Sequence, residues 1–407
     1  MRFKRPTELY FCLQDCQFFD LKSLLQGRVE TETEAQLLVI SPLTFEQHRV
    51  DPEQLGILRN VPCDLWSEGS QLAESLGVEV EDLEQLALKA LLLADADDPS
   101  LLRQLRHRAE LLSAQGWHPL AAIYHFQNRS LDESAGISSL EARDYGALEA
   151  TAVEDAAKFV ARHGPPPPLF HRISRDSGVE LPLVEKKGGL YDLLRQRRTT
   201  RAFDAERPMS LEDLAVVLRW TFGYHGYLRL SEDVTLLNRT SPSGGARHPI
   251  EAYLLISNVS GLETGLYHYD PEDHILEPIR ELEQEAARSL AVDCARQQTW
   301  AGAAHVLLFM TARYFRNFWK YRNNLRTYSI VLMDAAHLNQ TLALIATDLG
   351  LASVYSAAIH APRIENALGL DGYEEGAIAC CGFGPKPGSY PDHGIERRAF
   401  VPRKTKI

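Results

Sequence analysis

The spacing of apolar residues predicts helices and strands that alternate along the second half of the chain. The longest periodic segment, 326–349, places apolar residues in steps of three and four and ends at Gly350, which indicates one long amphipathic helix. Shorter helices are expected at 189–198, at 363–368 and after Ser210, which stands at an N-cap position. The remaining apolar runs predict a hairpin and four buried strands, at 266–278, 251–257, 304–311, 354–359 and 377–383. This order predicts an α+β fold around one mixed sheet.

The first half of the chain has a weaker pattern. Its apolar runs predict one strand and three helices, at 34–41, 80–94, 99–114 and 139–162. This composition fits a small α/β domain, and a winged-helix-like module is one arrangement of it. Four consecutive prolines at 165–168 exclude a helix or a central strand there. We therefore predict two domains, an N-terminal recognition or packing domain over 1–168 and a catalytic domain over 169–407.

Composition and charge narrow the class of protein. The chain has 407 residues, of which 45% are hydrophobic and 24% charged, as in globular proteins. Its net charge of -12 disfavours nucleic acid and anionic membranes as main partners. No run reaches the roughly 18 to 20 continuous apolar residues of a membrane helix. The apolar patch near the N-terminus is interrupted by Gln14, Asp15 and Gln17, so we expect a cytoplasmic protein without a secretory signal.

The six cysteines are too few for a disulfide framework in a chain of this length. Cys12 and Cys16 have a spacing seen in metal sites, but no second pair of ligands follows them, so ordinary buried thiols are favoured and no metal is expected. Cys380 and Cys381 lie in an apolar run and are interpreted as packing residues of a strand.

A first candidate site lies where the helix at 189–198 ends. Three arginines and two hydroxyl residues gather there, namely Arg197, Arg198, Arg201, Thr199 and Thr200. Arginine makes bidentate contacts with phosphate, and hydroxyls add short hydrogen bonds. The alternative is an ordinary basic helix C-terminus that is stabilised by the helix dipole.

A second candidate site is the glycine-containing segment at 241–249. Gly244 and Gly245 allow successive backbone N–H groups to converge on one anion, while Ser243 and Arg247 add a donor and a positive charge. The alternative is a plain surface turn. The two segments together favour a phosphate-binding role.

A third candidate site is the pair Lys320 and Tyr321. An ammonium beside a phenol stabilises the phenolate, which makes the tyrosine a proton acceptor. The alternative is a surface lysine in an amphipathic loop. In the following helix, His337 and Gln340 are candidates for contact with substrate or cofactor, and a buried, hydrogen-bonded histidine is the competing interpretation of His337.

These motifs carry a family resemblance. The helix-end pattern and the Pro-Ser-Gly-Gly turn resemble the FMN-binding segments of the nitroreductase superfamily, although Thr199 replaces the commoner serine. The longer string Ser-Pro-Ser-Gly-Gly-Ala-Arg-His-Pro is similar to that of SagB-type dehydrogenases, which act in the pathways of thiazole- and oxazole-modified peptides. Lys320 and Tyr321 match the Lys-Tyr pair of those enzymes. The segment 381–388 resembles the family ending, in which a glycine-rich turn and a basic residue approach the FMN phosphate.

The resemblance implies a nitroreductase-like FMN fold in a homodimer with shared flavin sites. It implies FMN binding by Arg197, Arg198, Thr199, Arg201, Pro242, Ser243, Gly244, Gly245, Arg247, Gln340, Gly384 and Lys386. It also implies catalysis by Lys320 and Tyr321, oxidation of azoline rings to azoles in a modified precursor peptide, and a cyclodehydratase as pathway partner. Two alternatives remain, an NAD(P)H-dependent reductase of a small molecule or dehydro-residue, and a non-catalytic scaffold that recruits a peptide.

Overall fold

The structure is a computed structural model of the chain. It describes residues 1–19, 31–44, 46–96, 101–129, 157–158, 160–162, 164–168, 181–182 and 186–388. Most of the helix predicted at 139–162 lies outside these ranges. The tetraproline segment has no regular secondary structure, in agreement with the sequence.

In the described residues of the first half, two small antiparallel sheets combine with short helices. Its strands are β1 (Arg2–Lys4), β2 (Tyr10–Phe19), β3 (Thr31–Ile40), β4 (Gln47–Arg49), β5 (Ser67–Glu68) and β6 (Leu93–Asp95). Its helices are α1 (Pro52–Asn60), α2 (Gly69–Leu76), α3 (Val80–Leu88), α4 (Leu101–Ala114) and α5 (Pro119–Arg129). The sheet orders are β5-β1-β6 and β2-β3-β4. The helix predicted at 80–94 is wrong beyond Leu88, because Ala90 takes a positive φ of 53° and Leu93 pairs with Lys4 in a strand.

The second half is built on a six-stranded sheet of order β11-β10-β9-β12-β14-β13. Its strands are β9 (Ile250–Ile256), β10 (Gly265–Asp270), β11 (Ile275–Glu281), β12 (Val306–Arg313), β13 (Leu351–Ser356) and β14 (Glu375–Pro385), with a separate hairpin β7 (Tyr224–Arg229) and β8 (Thr235–Arg239). Its helices are α6 (Gly189–Gln196), α7 (Leu211–Phe222), α8 (Gln284–Cys294), α9 (Trp300–Ala303), α10 (Phe315–Phe318), α11 (Leu325–Asp348) and α12 (Ala361–Leu368).

Within the described residues, the six-stranded sheet is antiparallel, whereas the sequence predicted a mixture of parallel and antiparallel strands. All pairings among its six described strands are antiparallel. The central strands read as continuous apolar runs because both faces are covered, and such runs are also typical of parallel sheets, so the pattern does not fix strand direction. Cys380 and Cys381 are buried in β14, and burial raises the pKa of Cys381 to about 12, which confirms their interpretation as packing residues.

Helix α11 covers one face of the sheet and positions much of the site. It buries Val331, Ala335, Leu338 and Leu342 in the largest core cluster, together with residues of β12 and β14. By length and composition it is also long and apolar enough to cross a membrane, a test that buried core helices often pass. The burial of this face against the sheet gives α11 the role of a core helix.

Part of the first half packs into the core of the second. Trp117, Ala121 and Phe126 belong to the same buried cluster as the sheet of the second half. The indole Nε1 of Trp117 donates to the carbonyl oxygen of Tyr373 at 3.2 Å, and the buried His125 hydrogen-bonds Tyr328 of α11 at 2.9 Å. The predicted boundary at 168 therefore separates residues that share one core.

Candidate active site

The Gly-Gly turn lies between α11 and the loop that carries Lys320 and Tyr321. Gly245 has a φ of 65°, and a Cβ added there would lie 2.6 Å from the Tyr321 hydroxyl oxygen and 3.1 Å from Lys320 Nζ. A Cβ at Gly244 would overlap the side chain of Ile330. Two glycines are thus required, one by close approach to α11 and one by the lysine–tyrosine pair.

The turn is fastened to α11 through a buried carboxylate. The Ser243 hydroxyl donates to Asp334 at 2.6 Å, and the Gly244 backbone N–H donates to the same carboxylate at 3.2 Å. Ser243 Oγ in turn accepts the backbone N–H of His248 at 2.8 Å. Burial raises the pKa of Asp334, against the hydrogen bonds from Ser243 and Gly244. The sequence predicted that the Ser243 hydroxyl donates to a phosphate. In the structure this hydroxyl donates to Asp334 instead.

The turn also has an unusual backbone. Ala246 and His248 adopt positive φ values of 52° and 47°, close after Gly245. Non-glycine residues in this region carry strain, which commonly collects at functional sites. Arg247 lies between them and is buried; its Nε donates to the Gly245 carbonyl at 3.1 Å, and its guanidinium lies 5.5 Å from the Trp319 ring centroid.

Tyr321 is held at the end of the short helix α10. The backbone N–H groups of Lys320 and Tyr321 both donate to the Asn317 carbonyl, at 3.2 and 3.0 Å. The Tyr321 carbonyl accepts from Thr327 Oγ1 at 3.2 Å. Lys320 is exposed and Tyr321 half-buried, with Lys320 Nζ 5.2 Å from the Tyr321 ring centroid. Tyr321 Oη and Lys320 Nζ therefore both lie beside Gly245, with access to solvent.

The arginine segment is anchored elsewhere, at the β13 and β14 side of the sheet. Thr200 N–H donates to the Ser353 carbonyl at 2.8 Å, and Asp204 N–H donates to the Pro385 carbonyl at 2.9 Å. These bonds bring the segment that follows α6 beside Lys386, the exposed residue after β14. Arg197, Arg198, Thr199 and Arg201 therefore lie in a segment that is anchored on the same side of the sheet as Lys386. The Gly-Gly turn is anchored separately, on α11.

Comparison with known proteins identifies relatives of the second half of the chain. The model of the nitroreductase family matches residues 194–384, which include the arginine segment, the Gly-Gly turn and the Lys-Tyr pair. MJ1384 of Methanocaldococcus jannaschii, a candidate nitroreductase, is 31% identical over 198 residues, which are 48% of this chain and 91% of that protein. The chain belongs to the nitroreductase family.

Two further relatives of this nitroreductase-family chain have names that refer to peptide processing. The trifolitoxin-processing protein TfxB of Rhizobium leguminosarum bv. trifolii is 27% identical over 42% of this chain and 46% of its own length. The microcin B17-processing protein McbC of Escherichia coli is 30% identical over 35% of this chain and 52% of its own length. The aligned part thus spans about half the length of these two relatives.

The structure also places Gly384, His337 and Gln340, and the first two differ from an expectation drawn from the sequence. Gly384 does not form a turn toward a phosphate: β14 continues to Pro385, Gly384 pairs with Ala352, and a Cβ there would collide with the His305 ring. His337 is not buried; it is exposed on α11, with Nδ1 3.3 Å from the Pro242 carbonyl oxygen. Gln340 is exposed one turn further along α11.

The sequence interpretation missed two residues that shape the site, Asp334 and Ile330. Asp334 lies on the buried side of α11, and an acidic residue among the buried positions of a helix is a signal for a buried polar contact. Ile330 leaves no such signal, because its contact with Gly244 depends on tertiary structure.

Proposed function

We propose that this protein is an FMN-dependent dehydrogenase that oxidises azoline rings to azoles in a ribosomally made, post-translationally modified peptide. The observation that carries the proposal is the meeting of Tyr321 Oη and Lys320 Nζ above Gly245. It joins a candidate base to the turn that resembles an FMN-binding segment of the nitroreductase superfamily. The names of TfxB and McbC, which refer to the processing of trifolitoxin and microcin B17, support a peptide substrate.

The residues present fit FMN. A phosphate requires positive charge and hydrogen-bond donors, and Arg197, Arg198, Arg201 and Lys386 supply both from segments on the same side of the sheet. Within the described ranges, neither Arg197 nor Lys386 forms an ion pair, so their charges are available to a ligand.

The chain's own contribution to the reaction is proton removal and positioning. Bound FMN supplies the hydride acceptor for the ring C–H that is oxidised. Tyr321 Oη takes the acidic proton of the azoline, and Lys320 Nζ stabilises the negative charge of that oxygen before the transfer. Loss of one proton and one hydride from the ring gives the aromatic azole, so atoms and electrons balance.

We also propose that two copies of the chain associate and that a cyclodehydratase of the same pathway supplies the substrate. Helices α6, α7 and α11 leave large apolar side chains exposed, including Leu190, Leu194, Trp220 and Met333. Exposed apolar surface of this kind is typical of protein interfaces. An azoline arises by dehydrative cyclisation of a peptide side chain, which is the reaction that must precede this one.

The test is single-turnover reduction of the bound flavin by an azoline-containing peptide. Tyr321→Phe keeps the ring and removes the hydroxyl, so we expect a loss of about 10²- to 10⁴-fold, the usual worth of a positioned base. Lys320→Ala should also slow the reduction, and the double variant should lose little more than Tyr321→Phe, because both residues serve one proton transfer. A Tyr321→Phe enzyme with full FMN content and the wild-type rate would contradict the assignment of the base.

A reductase of small molecules is the second candidate, because MJ1384, a candidate nitroreductase, aligns over 91% of its length with this chain. The two functions differ in the electron donor. Rapid flavin reduction by NADPH without any peptide, together with no reduction by an azoline peptide, would favour the reductase. A purified protein that takes up no FMN would instead favour a peptide-recruiting scaffold.

A further inference from the structure

A tight turn of the first half contacts the segment that carries Lys320 and Tyr321. The turn follows α4, and Gly116 takes a φ of 68° in it. We name it the 115–117 turn. It contacts residues on both sides of the Lys-Tyr pair, so the first half holds the segment 318–323 at its two ends.

On the side that precedes the pair, the indole ring of Trp117 packs against α10. Its centroid lies 4.6 Å from the ring centroid of Tyr314 and 4.8 Å from that of Phe318, and all three side chains are buried. Helix α10 has only four residues, and isolated helices shorter than about 12 residues are marginal in water, so its position depends on side-chain packing. This packing also sets the position of the Lys-Tyr pair, because both of its N–H groups donate to the Asn317 carbonyl in α10.

On the side that follows the pair, the turn holds the backbone directly. The N–H of Asn323 donates to the Gly116 carbonyl at 3.2 Å, and Asn323 takes a positive φ of 53°. A Cβ added at Gly116 would lie 3.2 Å from Cγ of Arg322, so the side chain next to Tyr321 in sequence lies directly on the turn. Only the residues 319–322 separate the two contacts, and fixing both ends of so short a segment removes most of its backbone freedom.

The 115–117 turn is itself fastened to the second half. Gln115 Nε2 donates to the Glu374 carboxylate at 3.1 Å, and Trp117 Nε1 donates to the Tyr373 carbonyl at 3.2 Å. The Glu374 carbonyl in turn accepts the N–H of Tyr314 at 3.1 Å. The turn and the start of α10 are therefore both bonded to the segment 373–374, which fixes the distance between them.

We propose that the 115–117 turn positions the Lys-Tyr pair for proton removal, so that the first half contributes to the reaction as well as to the core. Gly116 and Trp117 are positioning residues, because they act through Tyr321 and not on the substrate. The effect on rate should be large, since a shift of about 1 Å in a reacting group can cost about 10²-fold. This inference rests on the proposed function, because it takes Tyr321 as the base.

The kinetic test uses the full-length protein loaded with FMN. Trp117→Leu keeps an apolar side chain and removes the ring, so we expect single-turnover flavin reduction by an azoline peptide to slow about 10- to 100-fold. The same substitution in a Tyr321→Phe protein should have almost no further effect, because it acts through a hydroxyl that is no longer present. Phe126→Leu is the matched control, since it removes a buried ring from the same core cluster, and it should react at nearly the wild-type rate.

Amide hydrogen exchange tests the positioning without any reaction. In Trp117→Leu the amides of Lys320, Tyr321 and Asn323 should exchange faster than in the wild type, because the segment opens locally. The amides of β12 should stay as protected as in the wild type. A general loss of stability would instead raise exchange throughout the core.

A second variant keeps the test decisive if Trp117→Leu fails to fold. Gly116→Ala adds one methyl group that meets Arg322. Gly77→Ala is its control, because Gly77 has a similar φ of 71° and its added Cβ would have no heavy atom within 4 Å. We expect faster exchange at Asn323 and slower flavin reduction in Gly116→Ala, and neither change in Gly77→Ala.

Three results would overturn the inference. The first is unchanged exchange at 320–323 in both Trp117→Leu and Gly116→Ala. The second is an equal loss of rate from Trp117→Leu with and without the Tyr321 hydroxyl, and the third is an equal loss in Phe126→Leu, since both would show a general effect of the core. Locally faster exchange in a protein whose flavin is not reduced by azoline peptides would refute the proposed function and leave the positioning of the Lys-Tyr pair standing.

Discussion

Replacement of Gly245 by alanine gives the sharpest test of the site geometry. The added Cβ would lie 2.6 Å from Tyr321 Oη, so the hydroxyl has to move by about 0.8 Å to regain an ordinary contact of 3.4 Å. Lys320 Nζ, at 3.1 Å from the same point, is displaced as well. The φ of 65° at this residue adds backbone strain of about 1–2 kcal/mol for an L-residue.

The displacement and the strain have different consequences. A shift of about 1 Å in a reacting group is sufficient to cost about 10²-fold in rate. The backbone strain reduces stability and has no direct effect on the proton transfer. We therefore expect Gly245→Ala to lose about 10²-fold in the rate of flavin reduction, together with a modest drop in melting temperature.

Gly261 provides the control for strain. Its φ is 79°, and a Cβ there would have no heavy atom within 4 Å, so Gly261→Ala carries the strain without the collision. The assay compares single-turnover flavin reduction by an azoline peptide in both variants, at equal FMN occupancy. If Gly245→Ala reacts as fast as Gly261→Ala, the close approach of Tyr321 to the turn has no role in the reaction.

Three further predictions concern the cofactor, the two halves and pH. Arg198→Ala should weaken FMN binding about tenfold or more, because charge-assisted hydrogen bonds to the phosphate are lost. Flavin fluorescence measures the affinity, with the neighbouring Arg195→Ala as the control variant, and equal affinities of the two variants would exclude Arg198 from the phosphate site. A chain that begins at Leu169 lacks Trp117 and Phe126, so we expect it to be unstable. In the full chain, Trp117→Ala should lower the unfolding free energy by about 3–5 kcal/mol, measured by urea titration. If both proteins were as stable as the wild type, the shared core would be contradicted. The carboxylates of Glu251 and Glu277, at 3.8 and 2.7 Å from the His268 ring nitrogens, raise the pKa of His268 to about 8, so its stabilisation is complete below the unfolded value of 6.5 and is lost as pH rises through about 8. His268→Gln should remove a loss of about 1–2 kcal/mol of unfolding free energy between those pH values, and an unchanged pH profile of unfolding would refute this.

The sequence determined the second half of the fold well, because its helices and strands depend on local periodicity. The segment 326–349 became α11, and the hairpin at 266–278 became β10 and β11. The Ser210 hydroxyl accepts the Asp213 N–H at 3.0 Å, as an N-cap does. Strand direction was not determined, because a strand buried on both faces has the same apolar pattern in a parallel and an antiparallel sheet.

The sequence also indicated which segments carry the chemistry, since arginines, paired glycines and a lysine–tyrosine pair have characteristic uses. It did not determine how they are grouped. Ser243 is engaged by Asp334, and Gly384 makes room for His305. These contacts join residues far apart in the chain, so no local pattern records them.

The relation between the two halves was decided by tertiary structure alone. The prolines at 165–168 mark a break in secondary structure, which the sequence shows directly. Trp117 nevertheless packs against Tyr314 and Phe318, at 4.6 and 4.8 Å between ring centroids, and so joins the first half to the segment that leads to Tyr321. Burial of an aromatic side chain depends on which surfaces meet, and periodicity shows only that a residue has an apolar side to bury.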